Sequence, residues 1–158
     1  MYSPIAGLRY AAMAAAVFVL AACSTPDSSS SGTAVPGSQE DLAQNVGDRV
    51  FFEFDQSNLR ADAQATLGRQ AEWLKKYPNN IVTLEGHCDE RGTREYNLAL
   101  GERRASAARD YLVSMGIDAS RISTISYGKE RPVALCSDES CWSQNRRAVT
   151  MVTGSAGS

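Results

Sequence analysis

The chain has little histidine and no large excess of either charge. Each of these features argues against a class of function. Among its 158 residues the one histidine is His87, so a catalytic mechanism that needs two histidines has no second candidate. The 16 basic residues nearly balance the 18 acidic residues, for a net charge of −2. Nucleic-acid binding depends on clustered cations that contact phosphates. The composition therefore argues against a nucleic-acid partner.

A hydrophobic run long enough to cross a bilayer is also missing at the start of the chain. Ten apolar residues, Ala11–Leu20, follow Arg9, whereas a permanent membrane-spanning helix needs about 20. A short apolar run behind a positive charge is typical of a cleaved secretory signal. Residues 1–22 are therefore predicted to be a signal peptide. Removing them leaves 15 basic and 18 acidic residues, for a net charge of −3.

The residues Leu20-Ala21-Ala22-Cys23 resemble the lipobox of bacterial lipoproteins. That resemblance implies that Cys23 receives a diacylglyceryl thioether and becomes the acylated N-terminus. Each buried CH₂ of an acyl chain contributes about 0.8 kcal/mol, so two or three chains hold a domain firmly on a membrane. Ser24 stands where the inner-membrane retention signal usually has Asp, which points to the outer membrane. The alternative is an ordinary secretory signal with an incidental cysteine.

Composition divides the rest of the chain into a linker and one domain. The residues after Cys23 are rich in Ser, Gly, Pro and Thr and lack apolar periodicity, which is typical of a flexible tether. We assign residues 23–41 to the acylated cysteine and tether, and residues 42–153 to a single domain of ordinary size. Residues 154–158 are predicted to be a flexible C-terminus.

Three cysteines remain beyond Cys23. Cys136 and Cys141 bracket a short polar loop, and an exported domain folds under oxidising conditions, so we predict a disulfide between them. Cys88 is then unpaired. A zinc site that uses all three cysteines and His87 is the alternative, but adjacent His87 and Cys88 lack the usual ligand spacing. We expect no metal and no cofactor.

Hydrophobic periodicity predicts four strands and two long helices. The predicted strands are Val50–Phe54, Ile81–Gly86, Arg121–Tyr127 and Ala148–Val152, and the predicted helices are Ala61–Tyr77 and Asn97–Met115. Alternating strands and helices indicate helices packed on one face of a small mixed sheet. In that arrangement Asp55 and the loop 87–95 both follow the carboxyl ends of strands, where α/β sheets usually present their sites.

One charged residue lies on the apolar face of the second predicted helix. At about 100° per residue, Arg104 falls in the middle of the stripe that contains Leu100, Ala108 and Leu112. A buried guanidinium needs compensation, so we expect Arg104 to meet a carboxylate from the protein or from a ligand. Asp89 lies on the loop that leads into this helix. The two side chains either bridge each other or share a pocket, and Asp55 is a second possible counter-ion.

A pocket that holds one anion and one cation suits a zwitterionic ligand. Arg104 can bind a carboxylate through two hydrogen bonds, while Asp89 binds an ammonium group. The positive end of the helix dipole adds to the attraction for the carboxylate. From spacing alone, this interpretation and a purely structural ion pair are both open.

Several segments together resemble the OmpA-like peptidoglycan-binding domains. The central one runs from Gly86 to Ala105, and the others are Phe54-Asp55, Tyr127-Gly128 and Asn145-Arg146-Arg147. The resemblance covers roughly residues 42–152 and implies an α+β fold in which two helices pack on a mixed four-stranded sheet in the order βαβαββ. It also implies non-covalent binding of the diaminopimelate stem peptide of peptidoglycan, without enzymatic activity.

Carried over by position, the resemblance assigns roles to six residues. Asp89 engages the ammonium group and Arg104 the carboxylate. The residues that complete or shape the pocket are Asp55, Arg91, Asn97 and Leu100. One departure is that Cys88 stands where the family commonly has Thr. A thiol is a weaker hydrogen-bond donor, although the backbone N–H at this position could still serve.

Two other functions are alternatives to this one. A wall hydrolase would need Cys88 or a serine beside His87, but side chains adjacent in sequence do not readily form the required in-line hydrogen bond. An interaction module is the other alternative, and the resemblance implies TolB and other Tol components as periplasmic partners. We interpret His87 as a loop or packing residue rather than a ligand, and Trp73 and Trp142 as packing residues rather than carbohydrate platforms. Asn145–Arg147 either contact glycan or a partner, or form a turn with a buried Asn and an Arg in an ion pair.

Overall fold

The structure, a computed structural model, describes residues 34–155. The predicted signal peptide, the lipidation of Cys23 and most of the predicted tether lie outside the described residues, as do residues 156–158. None of the helices between residues 34 and 155 combines the length and apolar character required to cross a membrane.

Four strands and four α-helices make up the described part of the chain. In chain order they are α1 (Gln39–Asp41), β1 (Arg49–Phe51), α2 (Ala61–Lys76), β2 (Asn80–His87), α3 (Arg94–Ser114), β3 (Ile122–Gly128), α4 (Glu139–Asn145) and β4 (Arg147–Ser155). A π-helix, Leu42–Val46, follows α1, and a 3₁₀ turn, Ala119–Arg121, precedes β3. The long helices and all four strands were predicted, whereas α1 and α4 were not.

The strands form one mixed sheet in the order β1-β4-β2-β3. β2 and β3 are parallel, and β4 runs antiparallel to both β1 and β2. β1, β2 and β3 therefore point in one direction, and their carboxyl ends lie at the same edge of the sheet. This confirms the predicted α+β class and brings the chain after β1 close to the chain after β2.

The core lies between the sheet and the two long helices. Val82 and Leu84 alternate toward this side from β2 and are fully buried. Leu67 and Leu74 of α2 and Leu112 of α3 pack in the same hydrophobic cluster. The 3.6-residue period of the helices and the two-residue period of the strand each place one apolar face inward, which is why the elements form a layered domain.

Two glycines bring α3 unusually close to β2. A Cβ atom on Gly86 would lie 1.8 Å from the carbonyl oxygen of Gly101, and one on Gly101 would lie 2.2 Å from Ser126 Oγ. No larger residue fits at Gly86 without moving the helix away from the sheet, because the obstacle there is backbone. The glycine pair therefore sets the height of α3 above the end of β2.

Three element boundaries differ from the prediction by three residues, and the others differ by at most one. α3 begins at Arg94 rather than at Asn97, because Thr93 Oγ1 accepts a hydrogen bond from the Tyr96 N–H and caps the helix. β1 ends at Phe51, and the chain then turns with a hydrogen bond of 3.2 Å from the Gln56 N–H to the Glu53 carbonyl. β4 continues to Ser155, so residues 154 and 155 belong to a strand and not to a flexible end.

The folded domain also begins earlier than residue 42. The Asp41 carboxylate accepts hydrogen bonds of 2.9 Å from Trp73 Nε1 and from the Gly37 N–H. Gln39 Oε1 accepts one of 2.7 Å from the Val152 N–H at the edge of the sheet. Polar composition predicted a tether here, but these side chains bind the domain surface instead.

Candidate functional site

A cavity of about 170 Å³ lies where the loops after β1 and β2 meet the first half of α3. All six residues predicted for ligand binding line it, namely Asp55, Asp89, Arg91, Asn97, Leu100 and Arg104. The other lining residues are Phe54, Cys88, Gly92 and Tyr96. The cavity therefore contains two carboxylates, two guanidinium groups and an apolar wall.

Arg104 is fully buried, as its place on the apolar stripe predicted, but its hydrogen-bond partners differ from the expected carboxylate. Nε donates to the Gln56 carbonyl at 2.8 Å, Nη1 to the His87 carbonyl at 2.9 Å and Nη2 to the Glu53 carbonyl at 3.1 Å. Within residues 34–155 no carboxylate oxygen lies within 4.0 Å of this guanidinium. The structural alternative, a direct ion pair of Arg104 with Asp89 or with Asp55, is therefore wrong, and the expected carboxylate would have to come from a ligand.

The charge of Arg104 has no carboxylate in contact among residues 34–155, and the nearby Asp89 offsets it only in part. Burial lowers the pKa of Arg104 below its ordinary value, while the ring of Phe52 lies 5.2 Å from the guanidinium carbon. Carbonyl dipoles satisfy three of the five N–H groups but do not cancel the positive charge. The other two N–H groups form no hydrogen bond to residues 34–155, and Arg104 lines the cavity. Arg104 can therefore attract and bind an anion that enters it.

Asp89 is buried and already accepts four hydrogen bonds. Its Oδ1 accepts from the Arg91 N–H and from Arg91 Nε, each at 3.1 Å. Its Oδ2 accepts from Arg91 Nη2 at 2.6 Å and from Arg146 Nη1 at 3.4 Å. A carboxylate has about four lone-pair positions, so all of them are in use. Burial opposes ionisation, but the hydrogen bonds from Arg91 outweigh it and hold the pKa of Asp89 below its ordinary value.

Asp55 differs from Asp89 in both exposure and pairing. It is exposed, has a left-handed φ of 56° and accepts a hydrogen bond from the Tyr96 hydroxyl. Among residues 34–155 it has no salt bridge to a lysine or arginine. The carboxylates that form ion pairs in this region are Glu53, Asp89 and Glu139. Asp55 therefore offers open acceptor positions at the mouth of the cavity, which Asp89 does not.

Arg91 is held between two aromatic rings. The ring of Phe54 lies 3.9 Å from its guanidinium carbon and the ring of Trp142 lies 4.0 Å away. We interpreted Trp142 as a packing residue, and it does pack, but on this charged group. Its Nε1 also donates to Glu90 Oε1 at 3.0 Å. The six predicted site residues do not include Phe54, Tyr96 or Trp142. For Trp142 the sequence gives no signal, since no local pattern connects α4 with the loop after β2.

Asn97 and Leu100 shape the cavity from α3. The Asn97 amide donates to the Arg91 carbonyl at 2.8 Å and to the Thr93 carbonyl at 2.9 Å. Asn97 therefore fixes the loop that carries Asp89 and Arg91. Leu100 is 4 % exposed and contributes an apolar wall one turn before Arg104.

Cys88 contributes no free backbone donor to the cavity. Its N–H donates to the Gly128 carbonyl at 2.8 Å, which contradicts the expectation that this group could serve a ligand. Its Sγ donates to the Asn97 carbonyl at 3.3 Å. Burial raises the pKa of the Cys88 thiol, so it stays protonated at neutral pH.

His87 lies in β2, and its ring does not line the cavity. The ring stacks on Tyr127 with centroids 5.5 Å apart, in agreement with the packing interpretation. Neither ring nitrogen has a hydrogen-bond partner among the described residues. Burial, together with the charges of Arg147, Arg131 and Arg49, lowers the pKa of His87 to about 4. Within residues 34–155, Cys88 and His87 form no hydrogen bond with each other.

The segment before β4 matches the structural alternative proposed for it. Asn145 Oδ1 accepts hydrogen bonds from the N–H groups of Val133 and Ala134, at 2.8 and 3.2 Å. Arg146 is buried and forms ion pairs with Asp89 and Glu139. The predicted disulfide between Cys136 and Cys141 is confirmed, with the Cα atoms 5.5 Å apart.

A four-stranded sheet under two long helices, with a charged cavity at the carboxyl ends of β1 and β2, defines an OmpA-like domain. The chain belongs to the OmpA family, whose model matches residues 51–147.

Its similarity to named proteins is more specific. It is 70% identical over 127 residues to a peptidoglycan-associated lipoprotein of Rhizobium meliloti strain 1021, which covers 80% of this chain and 72% of that protein. It is 43% identical over 157 residues to a protein of the same name from Pseudomonas aeruginosa, which covers 88% of this chain and 93% of that one. The crystal structure of the peptidoglycan-associated lipoprotein from Burkholderia pseudomallei superimposes with a TM-score of 0.66 and 40% identity, over 70% of this chain and 98% of that chain.

Proposed function

We propose that this protein is a non-enzymatic outer-membrane lipoprotein that binds the diaminopimelate stem peptide of peptidoglycan and works within the Tol-Pal system. It tethers the outer membrane to the cell wall and so supports envelope integrity and cell division. The observation that carries the proposal is the buried Arg104, which has no carboxylate partner within residues 34–155 and lines a cavity with Asp55 and Asp89. The names of the relatives support the same conclusion.

The free end of diaminopimelate carries an ammonium and a carboxylate on one carbon, and the cavity offers both complements. The ligand carboxylate binds the two N–H groups of Arg104 that the backbone carbonyls leave free. The ammonium lies near both acidic residues. Asp55 supplies the direct hydrogen bond, because the four acceptor positions of Asp89 are occupied. Asp89 contributes its negative charge and keeps Arg91 in place.

This assignment makes the ligand carboxylate decisive. A lysine-type stem peptide ends in an ammonium alone, so it can meet Asp55 but leaves Arg104 without a counter-ion. The lysine-type peptide therefore lacks the charge-assisted contact with Arg104, which should make the cavity discriminate against lysine-type wall. The expected difference is about one to two decades in affinity, the range of one lost charge-assisted contact of ~1.5–3 kcal/mol.

The test is calorimetric titration of the purified domain with diaminopimelate-type and lysine-type muropeptides. We expect measurable binding of the first and at least tenfold weaker binding of the second. Arg104→Ala should lose most of the binding. Arg69→Ala is the matched control, because Arg69 is an exposed arginine of α2 outside the cavity and its removal changes the net charge equally. Equal affinity for the two muropeptides, or none for either, would refute the proposal.

The membrane part of the proposal concerns Cys23, which lies outside the described residues. Cells that express the full chain should incorporate labelled palmitate and retain the protein in the outer-membrane fraction. The Cys23→Ser variant should do neither. Incorporation of label into the variant, or release of the wild-type protein in soluble form, would contradict lipid anchoring at Cys23.

TolB is the second proposed partner, with other Tol components. Two aromatic residues at the cavity rim are exposed, Phe54 at 55 % and Tyr96 at 44 %, and exposed aromatic side chains are common anchors of protein interfaces. A partner that covers them would also cover the cavity mouth. We therefore expect TolB and the muropeptide to compete. Simultaneous full occupancy in a titration of the preformed complex would show that the two sites are independent.

A further inference from the structure

The short helix α4 contacts the cavity from outside its lining. It contributes no lining residue, yet Trp142 packs 4.0 Å from the guanidinium carbon of Arg91. Glu139, at the start of the same helix, forms an ion pair with the buried Arg146. Arg91 and Arg146 are the two cations that hold Asp89. Trp142 and Glu139 of α4 therefore each act on Asp89 through an arginine.

The position of Arg91 depends on α4 because Trp142 packs on its guanidinium and Glu139 Oε2 lies 4.0 Å from its Nη2. Phe54 packs on the opposite face at 3.9 Å, and the edge donates to Asp89. The Arg91 side chain is 31% exposed, so without Trp142 one face would open to solvent. A long side chain with one free face samples several rotamers, and each of those would take its hydrogen bonds away from Asp89.

The order of α4 depends in turn on the disulfide. Seven residues are far too few for a helix that is stable by itself. Asp138 caps the helix by accepting a hydrogen bond of 2.8 Å from the Ser140 N–H. The bond between Cys136 and Cys141 ties the first turn of the helix to the preceding loop. The disulfide is thus two residues before the N-cap on one side and inside the helix on the other.

We propose that α4, held by the Cys136–Cys141 disulfide, is a positioning element for the ligand cavity, in which Trp142 and Glu139 keep Arg91 and Arg146 on Asp89. The inference rests on the proposed function, since it concerns affinity for the diaminopimelate end. A released Arg91 would sample the cavity that it lines and compete with the ligand ammonium for the carboxylates. Binding must then order this side chain, and that ordering weakens the observed affinity.

The first test compares variants of Trp142 in calorimetric titrations with the diaminopimelate muropeptide. Trp142→Leu should weaken binding by about tenfold, the scale expected from the loss of one cation–π contact and the ordering of one long side chain. Trp142→Phe keeps an aromatic face on Arg91 and should restore affinity to within about twofold of the wild type. Gln144→Ala is the control, because Gln144 lies on the same helix and its amide bonds only the Ser140 carbonyl among the described residues.

A double-mutant cycle separates positioning from general damage to the fold. In an Arg91→Ala background, Trp142→Leu should cause no further loss of affinity, because the residue through which it acts is gone. Additive losses in the double variant would overturn the proposal. Unfolding curves of each variant show whether it is folded. If Trp142→Leu does not fold, Glu139→Gln replaces it in the titrations, and wild-type affinity in that variant would overturn the proposal.

The Cys136→Ser/Cys141→Ser double variant tests the disulfide separately. We expect it to weaken binding in the same direction as Trp142→Leu and, again, to have no effect in the Arg91→Ala background. Wild-type affinity in both Trp142→Leu and the double-serine variant would overturn the inference and leave the proposed function standing. Failure of the wild-type protein to bind the muropeptide would refute the proposed function and, with it, this inference.

Discussion

Arg104 Nη1 donates a hydrogen bond of 2.9 Å to the backbone carbonyl of His87, the last residue of β2. The same guanidinium bonds two carbonyls of the turn after β1. One side chain of α3 therefore joins the ends of two strands that are not adjacent in the sheet. The residue proposed to bind the ligand carboxylate is thus also a structural residue of the site.

This double role predicts a stability effect for Arg104→Lys. Lysine keeps the charge, but one ammonium cannot reproduce the planar fork that reaches three separate carbonyls. We expect the free energy of unfolding to fall by about 2–4 kcal/mol, because buried carbonyls lose their donors. Urea denaturation measures this directly. Arg103→Lys, an exposed neighbour on α3, should change stability by less than about 0.5 kcal/mol, and equal stabilities for the two variants would contradict the role assigned to Arg104.

The two carboxylates of the cavity should respond differently to neutralisation. Asp55→Asn removes an exposed charge at a left-handed position that Asn adopts readily, so affinity should fall about tenfold with little change in stability. Asp89→Asn strands Arg91 and the buried Arg146, so both affinity and stability should fall. Titration and denaturation of each variant separate the two outcomes. A stability loss in Asp55→Asn as large as that in Asp89→Asn would contradict this division of roles.

The close approach of α3 to β2 predicts that Gly86→Ala is severe. Its Cβ would lie 1.8 Å from the Gly101 carbonyl oxygen, so the helix must move and the cavity must deform. We expect a loss of at least about 3 kcal/mol or failure to fold. Gly68→Ala is the matched control, because a Cβ there meets nothing within 4 Å and alanine favours helix α2, with an expected gain of about 0.5–1 kcal/mol. Thermal or urea unfolding of both variants checks the contrast.

Because His87 is buried, we expect it to cause a pH dependence of stability that is separate from that of the carboxylates. Burial lowers the pKa of His87 from its ordinary value of 6.5 to about 4, so the folded protein binds a proton less readily than the unfolded chain. The stabilisation that comes from keeping His87 neutral is therefore present above pH 6.5 and is lost as the pH falls from 6.5 toward 4. Between pH 7.5 and pH 5 the loss should be about 2 kcal/mol.

The measurement is urea denaturation at those two pH values for the wild type and for His87→Phe. Phenylalanine keeps a ring beside Tyr127 but does not titrate, so the pH-dependent loss should disappear. Asp89, whose pKa is lowered, and Asp41, whose pKa falls to about 2, lose their charges at lower pH and do not confuse the comparison. An unchanged pH slope in His87→Phe would assign the effect to another group.

Local patterns predicted the parts of the site that depend on a single element. The 3.6-residue period of α3 identified Arg104 as buried, because the position of a side chain around a helix axis depends only on its spacing. The ends of β1 and β2 identified Asp55 and the 87–95 loop, since parallel strands end at one edge. Long-range partners gave no such signal. Arg104 meets carbonyls rather than a carboxylate, and Asp89 is held partly by Arg146 from the far end of the chain.

The sequence by itself therefore determined the α+β fold class, the two long helices, the Cys136–Cys141 pairing and six of the residues that line the cavity. Tertiary structure alone decided how those residues are paired, where the domain begins and that α4 packs on Arg91. The physical reason is the range of the forces involved. Periodicity and turn formation act over a few neighbouring residues, whereas hydrogen bonds and ion pairs between distant segments exist only after the sheet and helices have come together.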